Sequence, residues 1–168
     1  MKDTVEVFWF SEQPYSYITD QDLEKYDSGR LWFPNSHFDP EKAHVLYNEY
    51  HEQYALADEV GFDGICVNEH HNNAYGIMPS PNITAATLTR RTSNAAIIVL
   101  GNSLALYNPP IRVAEEFAML DCISGGRLVA GFPVGTSMDT NYAYGVNPAT
   151  LREKYYEAHD LVMKAWTE

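Results

Sequence analysis

The chain has 168 residues, of which 45% are hydrophobic, and 23 Asp and Glu against 11 Lys and Arg give it a formal net charge of −12. This apolar content is sufficient for one ordinary core and excludes wholesale disorder. A charge this negative, without a basic cluster to reverse it locally, opposes binding to nucleic acid or to an anionic membrane. We expect neither partner.

Cysteine usage and the amino-terminal residues predict the compartment. Cys66 and Cys122 stand without a CxxC pattern or a metal-ligand spacing, which argues against a disulfide scaffold and against a zinc site. The apolar run in the first ten residues is too short for a signal peptide, and no segment approaches the ~18 apolar residues of a membrane span. We therefore expect a reduced, cytoplasmic protein.

Four short apolar segments predict β-strands, and each is followed by a helical pattern. The expected strands are residues 5–10, 64–67, 95–100 and 127–132. Apolar side chains then recur at spacings of three and four residues after Pro40, Pro81, Pro110 and Pro148, which predicts a helix beginning near each proline. The uninterrupted apolar run at 95–100 predicts a strand that is covered on both faces.

This fourfold alternation of strand and helix predicts parallel strands that are joined by right-handed crossovers. The strands are expected to begin near residues 5, 64, 96 and 128, so the last two spacings are about 32 residues each and the first is about 59. Such α/β units suit either an open doubly wound sheet or part of a barrel. A (β/α)8 barrel of the TIM type takes about 250 residues, so residues 1–168 would form one half-barrel domain.

The excess in the first unit is the segment 11–38, which is unusually rich in aromatic residues. They are Tyr15, Tyr17, Tyr26, Trp32, Phe33 and Phe38. A long loop inside a compact domain is often a lid or a binding loop. The alternative is a surface excursion whose aromatic side chains pack on neighbouring helices, and the sequence leaves both open.

A cluster of polar side chains follows the second predicted strand. Glu69, His70 and His71 come directly after residue 67, and catalytic groups in parallel α/β folds gather at the carboxyl ends of strands. A neighbouring carboxylate can hold an imidazole in one tautomer for proton transfer. Because adjacent residues of an extended segment point to opposite faces, no metal is expected here. The alternative is a hydrogen-bonded structural histidine.

The ends of the third and fourth predicted strands also carry small and polar residues. Gly101, Asn102 and Ser103 follow the third strand, and a glycine there permits a flat ligand to approach the backbone, although the segment also suits a plain strand exit. The fourth strand runs into residues 131–137, which contain two glycines without the spacing of a dinucleotide or Walker loop. A classical nucleotide fingerprint is therefore absent.

Four blocks of the sequence together resemble the bacterial luciferase-like flavin-dependent monooxygenase family. They are ADEVGFD at 57–63, EHH at 69–71, PPIRVAEE at 109–116 and LDCISGGRL at 120–128, and they occur in the order of the family. The resemblance covers nearly the whole chain. It implies a (β/α)8 barrel that uses reduced FMN with dioxygen to insert one oxygen atom into an organic substrate or, in some branches, the deazaflavin F420 without oxygen chemistry.

The resemblance also implies roles for particular residues. His70 matches the active-site histidine near the flavin ring, and Glu69 matches its neighbouring carboxylate. The implied cofactor-binding residues are Phe8 on the first strand, Asn102, Ser103 and Leu104 at a bulged end of the third strand, and Pro133 and Gly135 at the exit of the fourth. A non-proline cis peptide is expected between Ser103 and Leu104.

Cofactor and function stay open between alternatives. Pro133 and Val134 replace more polar or basic residues of some family members, which leaves FMN and F420 both possible. The expected function is a flavin-dependent monooxygenase or its N-terminal part, with a small organic substrate, dioxygen and a flavin reductase as partners. The alternatives are a non-catalytic flavin-binding or assembly module and an F420-dependent oxidoreductase.

The length of the chain carries a further expectation. Family members continue through four more strands, and barrels of this kind bind phosphate with the loops after strands seven and eight. We therefore expect this chain alone to bind flavin weakly or not at all. A half barrel also leaves its first and fourth strands unpaired, which predicts a homodimer or pairing with a C-terminal half.

Overall fold

Four parallel strands form the centre of the molecule in the computed structural model, which describes residues 5–74 and 76–168. They are β1 (Phe8–Phe10), β2 (Gly64–Val67), β3 (Ala96–Leu100) and β4 (Leu128–Gly131), and they pair in the order β1-β2-β3-β4. Every pairing is parallel, with Trp9 opposite Ile65, Ile65 opposite Ile97 and Ile97 opposite Leu128. Sequential parallel pairing is the topology of successive βα units of a barrel, so the predicted fold class is confirmed.

Helices connect the strands and cover one face of the sheet. They are α1 (Asp20–Leu23), α2 (Pro40–Glu59), α3 (Pro81–Arg91), α4 (Ile111–Ser124), α5 (Met138–Ala143) and α6 (Leu151–Thr167), with short 3-10 turns at Asn35–His37, Leu104–Leu106 and Pro148–Thr150. The four long helices follow the predicted prolines, whereas the short α1 and α5 were not predicted. Among the described residues, no helix combines the length and the hydropathy that crossing a bilayer requires.

Local chemistry explains where the long helices begin and end. The Asp39 carboxylate caps α2 by accepting hydrogen bonds from the backbone amides of Glu41 and Lys42, and the Ser80 hydroxyl caps α3 in the same way. Such caps satisfy amide groups that have no partner inside the helix. Gly125, with φ of 74°, ends α4 in the left-handed conformation that glycine adopts without strain.

The two faces of the sheet differ in burial. Ile65, Val67, Ile97 and Val99 point to the helices and are fully buried, and they form the main core with residues such as Phe117 of α4. The other face carries Phe8, Phe10, Leu100 and Val129, which are 44–56% exposed. The expectation that both faces of the third strand are covered is therefore wrong for the part of the chain that the structure describes, in which only the helical layer covers β3.

The first strand is shorter than predicted. Only Phe8, Trp9 and Phe10 pair with β2. Val7 instead exchanges hydrogen bonds with Asp63, which ends the ladder before Val5, and both valines are exposed. All of residues 5–10 have a composition typical of a strand, but only Phe8, Trp9 and Phe10 of the described residues lie opposite a partner strand.

The aromatic segment 11–38 packs partly on α2. Tyr15 is buried in a second apolar cluster with Ala43, Leu46, Tyr50 and Ile77. Its hydroxyl accepts a hydrogen bond from the Asp39 amide at 3.0 Å, and the Tyr50 hydroxyl donates to the carbonyl of residue 14 at 2.6 Å. These contacts agree with the alternative of a surface excursion anchored on neighbouring helices, while Trp32 and Phe38 remain exposed.

Candidate functional site

The carboxyl ends of β2, β3 and β4 surround an open cavity of about 280 Å³, which we call the strand-end cavity. Its walls come from three loops, each directly after a strand. The lining residues are Asn68, Glu69 and His70 after β2, Leu100, Gly101 and Ser103 at the end of β3, and Pro133, Val134, Gly135, Thr136, Ser137 and Thr140 beyond β4. The predicted residues Glu69, His70, Ser103, Pro133 and Gly135 thus lie around one cavity.

Three other predicted cofactor residues lie elsewhere. Leu104 is fully buried in the main core. The Asn102 side chain is also buried, and its amide nitrogen lies 3.5 Å from Asn82 Oδ1 and from the Tyr107 hydroxyl. Phe8 pairs with Gly64 at the amino end of the sheet, where a Cβ on that glycine would lie 2.6 Å from the Phe8 ring. The structure does not bring these side chains to the strand-end cavity.

The bend at the end of β3 occurs earlier than predicted. The non-proline cis peptide joins Leu100 to Gly101, so its expected position between Ser103 and Leu104 is wrong. A Cβ on Gly101 would lie 2.3 Å from the Gly131 carbonyl oxygen and from Pro133 Cδ. Glycine is therefore required here because the fourth strand and its exit approach the backbone.

His70 is held against a buried carboxylate. Its Nδ1 lies 3.4 Å from Asp139 Oδ2, its Nε2 lies 3.8 Å from Glu12 Oε2, and its side chain is 17% exposed. The hydrogen bond with Asp139 raises the pKa of His70, and this effect outweighs the burial that lowers it. The charged imidazolium is the form that this arrangement favours.

Asp139 is the residue that the sequence analysis missed. Its side chain is fully buried at the start of α5 and accepts hydrogen bonds from Asn73 Nδ2 at 2.8 Å and from the Ser137 hydroxyl. Burial favours the neutral acid, but the hydrogen bonds from His70 and Ser137 outweigh it and hold the pKa of Asp139 well below its usual range. Its only sequence signal was an acidic residue soon after the fourth strand.

Glu69 partners the other histidine. Its carboxylate accepts hydrogen bonds from His71 Nε2, from the Ser103 amide and from the Tyr107 hydroxyl, each at 2.8 Å. The expectation that Glu69 holds His70 is therefore wrong. In an extended segment, residues i and i+2 lie on the same face, so the Glu69 carboxylate contacts His71. The His70 side chain lies on the opposite face and contacts Asp139. Glu69 ties the end of β2 to the end of β3.

The pKa of the Tyr107 hydroxyl agrees with a structural role for Glu69, which accepts a hydrogen bond from it. Burial, and then the nearby Glu69 carboxylate, raise the pKa of the Tyr107 hydroxyl far above its usual range, so this group stays protonated and donates. In the described part of the chain, no group of three or more His, Cys, Asp or Glu side chains is arranged to hold a metal ion.

The strand-end cavity has the chemistry to hold a flavin ring. Leu100, Pro133 and Val134 offer apolar surface, and the Asn68 amide oxygen is buried there without a hydrogen-bond partner in the described chain. Such an oxygen suits the ring N–H of a flat heterocycle. None of the described lining residues is a Lys or Arg, so they fit the ring and offer no countercharge for a phosphate.

A second cavity of about 230 Å³ lies beside His70, between the segment 11–38 and the loop residues 72–74 and 76–79. We call it the side cavity. Among the described residues, His70 alone lines both the side cavity and the strand-end cavity. A molecule in the side cavity and a ring in the strand-end cavity would therefore both contact this imidazole.

Comparisons with known proteins agree with this architecture. The family model for luciferase-like monooxygenases matches residues 28–168. Limonene 1,2-monooxygenase of Rhodococcus erythropolis is 28% identical over 141 residues, which are 84% of this chain and 36% of that protein. The oxygenase component of the flavin-dependent trigonelline monooxygenase of Acinetobacter baylyi is 37% identical over 90 residues, which are 54% of this chain and 25% of that protein.

The solved structures include the oxygenating constituent of 3,6-diketocamphane monooxygenase from Pseudomonas putida, in complex with FMN. The two structures superimpose with a TM-score of 0.74 at 18% sequence identity. The superimposed region covers 97% of this chain and 40% of the monooxygenase chain. The chain thus spans about a third of the length of the curated relatives that it matches. On the family model and the topology together, the chain belongs to the luciferase-like monooxygenase family.

Proposed function

We propose that this chain provides the flavin-ring side of a flavin-dependent monooxygenase, which uses reduced FMN and dioxygen to insert one oxygen atom into a small organic substrate. The observation that carries the proposal is the position of His70, which lies at the convergence of three strand ends and is charge-paired with buried Asp139. Family membership supports the reaction class, and relatives include monooxygenases of limonene and of trigonelline.

The bound reduced flavin would supply the electrons with which one oxygen atom of dioxygen enters the substrate and the other leaves as water. His70 holds and moves the proton. Its Nδ1 faces Asp139, which stabilises the charged ring, so Nε2 is the atom from which a proton passes to the reacting oxygen. Glu12 is 3.8 Å from Nε2, which is too far for a hydrogen bond.

The remaining residues bind, orient and exclude water. Asn68 would accept a hydrogen bond from the ring, and Pro133 and Val134 would contact its face. Glu69 orients the Ser103 backbone at the cavity wall. Segment 11–38 would shield His70 from solvent on the side of the second cavity, because its side chains wall that approach to the imidazole.

The test is oxygen-dependent turnover with reduced FMN, measured for the chain and for His70→Ala. Loss of the proton-handling group is expected to reduce turnover about 100-fold, while the FMN dissociation constant changes far less. His44→Ala is the matched control, because His44 is exposed on α2 and lines neither cavity. Equal, measurable turnover of His70→Ala and of the unchanged chain would contradict the proposal.

The proposal includes partners and a compartment. A flavin reductase would supply the reduced cofactor, as the name "oxygenase component" suggests for the trigonelline relative. The uncovered face of the sheet supports association with a second copy or with the C-terminal half of a barrel. A reducing cytoplasm suits the free thiols of Cys66 and Cys122.

One observation favours a second candidate. Because the described lining of the strand-end cavity holds no cation for a phosphate, the second candidate is a module that binds the flavin ring without turnover. The F420-dependent oxidoreductase is a third candidate, which this observation does not favour. Cofactor binding without oxygen-dependent turnover would select the module, and hydride exchange with F420 would select the oxidoreductase.

A further inference from the structure

The side cavity beside His70 has walls that are mainly aromatic and aliphatic. They include Tyr15, Ile18, Phe33, Phe38, Tyr47 and Ile77, which come from segment 11–38, from α2 and from the loop before α3. No described lining residue is a Lys, Arg, Asp or Glu. A ligand buried here would bury its apolar surface against these walls, and the one charged group of the described lining, the His70 imidazolium, is already paired with Asp139.

The charges just outside the walls also disfavour ions. Asp139 already balances the His70 imidazolium, and Glu12, whose carboxylate lies 3.8 Å from the other ring nitrogen, opposes an anionic ligand. Arg30 is close enough to lower the pKa of His70, and its positive charge opposes a cationic ligand. Both observations favour a neutral occupant.

The polar groups of the side cavity are few and specific. The two tyrosine hydroxyls are engaged, since Tyr15 accepts a hydrogen bond from the Asp39 amide and Tyr47 donates to the Ile77 carbonyl. The side-chain amides of Asn35 and Asn72 line the cavity and make no hydrogen bond to another described residue. Their N–H groups can donate to one carbonyl or hydroxyl oxygen of a ligand.

The volume limits the size of the occupant. An apolar cavity of about 150 Å³ is sufficient for one benzene molecule. At about 230 Å³, the side cavity has room for one six-membered ring with a few further atoms. A fused multi-ring compound would exceed this volume and extend through the open side of the cavity.

We infer that the side cavity is the substrate subsite and that it takes an uncharged, mainly apolar ring compound with one carbonyl or hydroxyl oxygen. That the occupant is a substrate rests on the proposed function. The binding itself depends only on residues of this chain, and His70 would lie between the occupant and the strand-end cavity.

The first test uses three probes of similar size on the unchanged chain without flavin: acetophenone, benzoate and phenyltrimethylammonium. Backbone amide NMR shifts at Asn72, Ala74 and Gly76 report occupancy. Acetophenone is expected to bind at least about tenfold more tightly than either ion, because an ion would lose its hydration without a partner. Equal or tighter binding of either ion, or no binding of acetophenone, overturns the inference.

The second test fills the cavity. Ile18→Phe is expected to weaken acetophenone binding at least about tenfold by occupying the site, as overpacked apolar positions exclude a ligand. Val45→Phe is the matched control, because Val45 is exposed on α2 and lines none of the described cavities. Unchanged affinity in a folded Ile18→Phe variant overturns the inference. This binding test contains no flavin, so its outcome does not depend on the proposed function. Acetophenone binding combined with equal turnover of His70→Ala and the unchanged chain in the separate FMN assay would contradict the proposed function alone.

Discussion

At the scale of single residues, the pair formed by His70 and Asp139 controls the charge of the site. We predict that Asp139→Asn lowers the pKa of His70 toward its ordinary value of 6.5, since the hydrogen-bonded carboxylate is the main cause of the raised value. NMR titration of the His70 ring protons measures this directly. Asp160→Asn is the control, because Asp160 pairs with a different histidine, His159, on the surface.

The other charges that face His70 set the size of this shift. Glu12 raises the pKa of His70 and Arg30 lowers it, and both remain in the Asp139→Asn variant. Because burial, which lowers the pKa of His70, outweighs the remaining effect of Glu12, the pKa in Asp139→Asn is expected to fall to its ordinary value or below. An unchanged titration of His70 in Asp139→Asn would show that the Asp139 carboxylate does not act on the imidazole.

The same pair predicts how stability depends on pH. Because the pKa of His70 is raised on folding, its contribution is fully present below 6.5 and is lost as the pH rises through the raised folded value. Because the pKa of Asp139 is lowered, its contribution is present above 3.8 and is lost as the pH falls through the folded value. Urea unfolding should therefore show that the free energy of unfolding of the unchanged chain exceeds that of Asp139→Asn, and that this difference is largest between pH 3.8 and pH 6.5.

At the scale of elements, two charged residues, the buried Asp58 and the half-buried Arg127, fix the turn between α3 and β3. Asp58 accepts hydrogen bonds from the amides of Ser93, Asn94 and Ala95 at 2.5–2.9 Å. Burial alone would raise the pKa of Asp58, but these amides outweigh it and lower the pKa. The Arg127 guanidinium donates to the carbonyls of Ala95 and Ser124 and to groups of Thr89 and Thr92.

We predict that Arg127→Met lowers the free energy of unfolding by about 2–4 kcal/mol, because several buried carbonyls lose their donor. The urea midpoint at unchanged slope measures this change. Arg112→Met is the control and should cost less than about 1 kcal/mol, since Arg112 forms an exposed pair with Glu116 along α4. Equal losses in the two variants would contradict the role of Arg127.

The elements also show which features the sequence could predict. The long helices and the buried strands were predictable because apolar periodicity, prolines and glycines are local signals. Helix α5 was not, because six residues carry no clear period, and its Asp139 becomes significant only through contact with His70 across 69 positions. Two residues of the blocks that carried the family resemblance, Asp58 and Arg127, proved to be structural.

At the scale of the whole molecule, the sheet has an exposed apolar face. Phe10, Leu100 and Val129 are 45–56% exposed, and β1 and β4 are the edges of the described sheet. We predict that the chain self-associates at high concentration, because burying this face removes apolar surface from water. Light scattering coupled to size exclusion measures the molar mass.

Substitution of the exposed face tests the cause of that association. Phe10→Lys with Val129→Lys should yield monomers and should destabilise the fold little, since both side chains are already about half exposed. Met119→Lys, on the exposed surface of α4, is the control and should leave the molar mass unchanged. A monomeric unchanged chain at all concentrations would contradict the prediction.

The positions of the site residues followed from topology more than from their identities. The sequence placed Glu69, His70, Ser103, Pro133 and Gly135 at strand ends, and parallel pairing brings those ends together. It could not predict which carboxylate holds which histidine, because that choice depends on the alternation of side chains after β2. Nor could it predict that Asn102 and Leu104 turn into the core.

The most direct test of the account is an NMR titration of the chain with FMN, a method that detects weak binding. The account predicts shifts of the His70 ring protons and of the amides of Ser103, Gly135 and Thr136 at the strand-end cavity. It predicts no shifts at Gly61 and Gly125, in the turns before β2 and β4. No shift at His70 with millimolar FMN, or shifts concentrated at those turns, would contradict it.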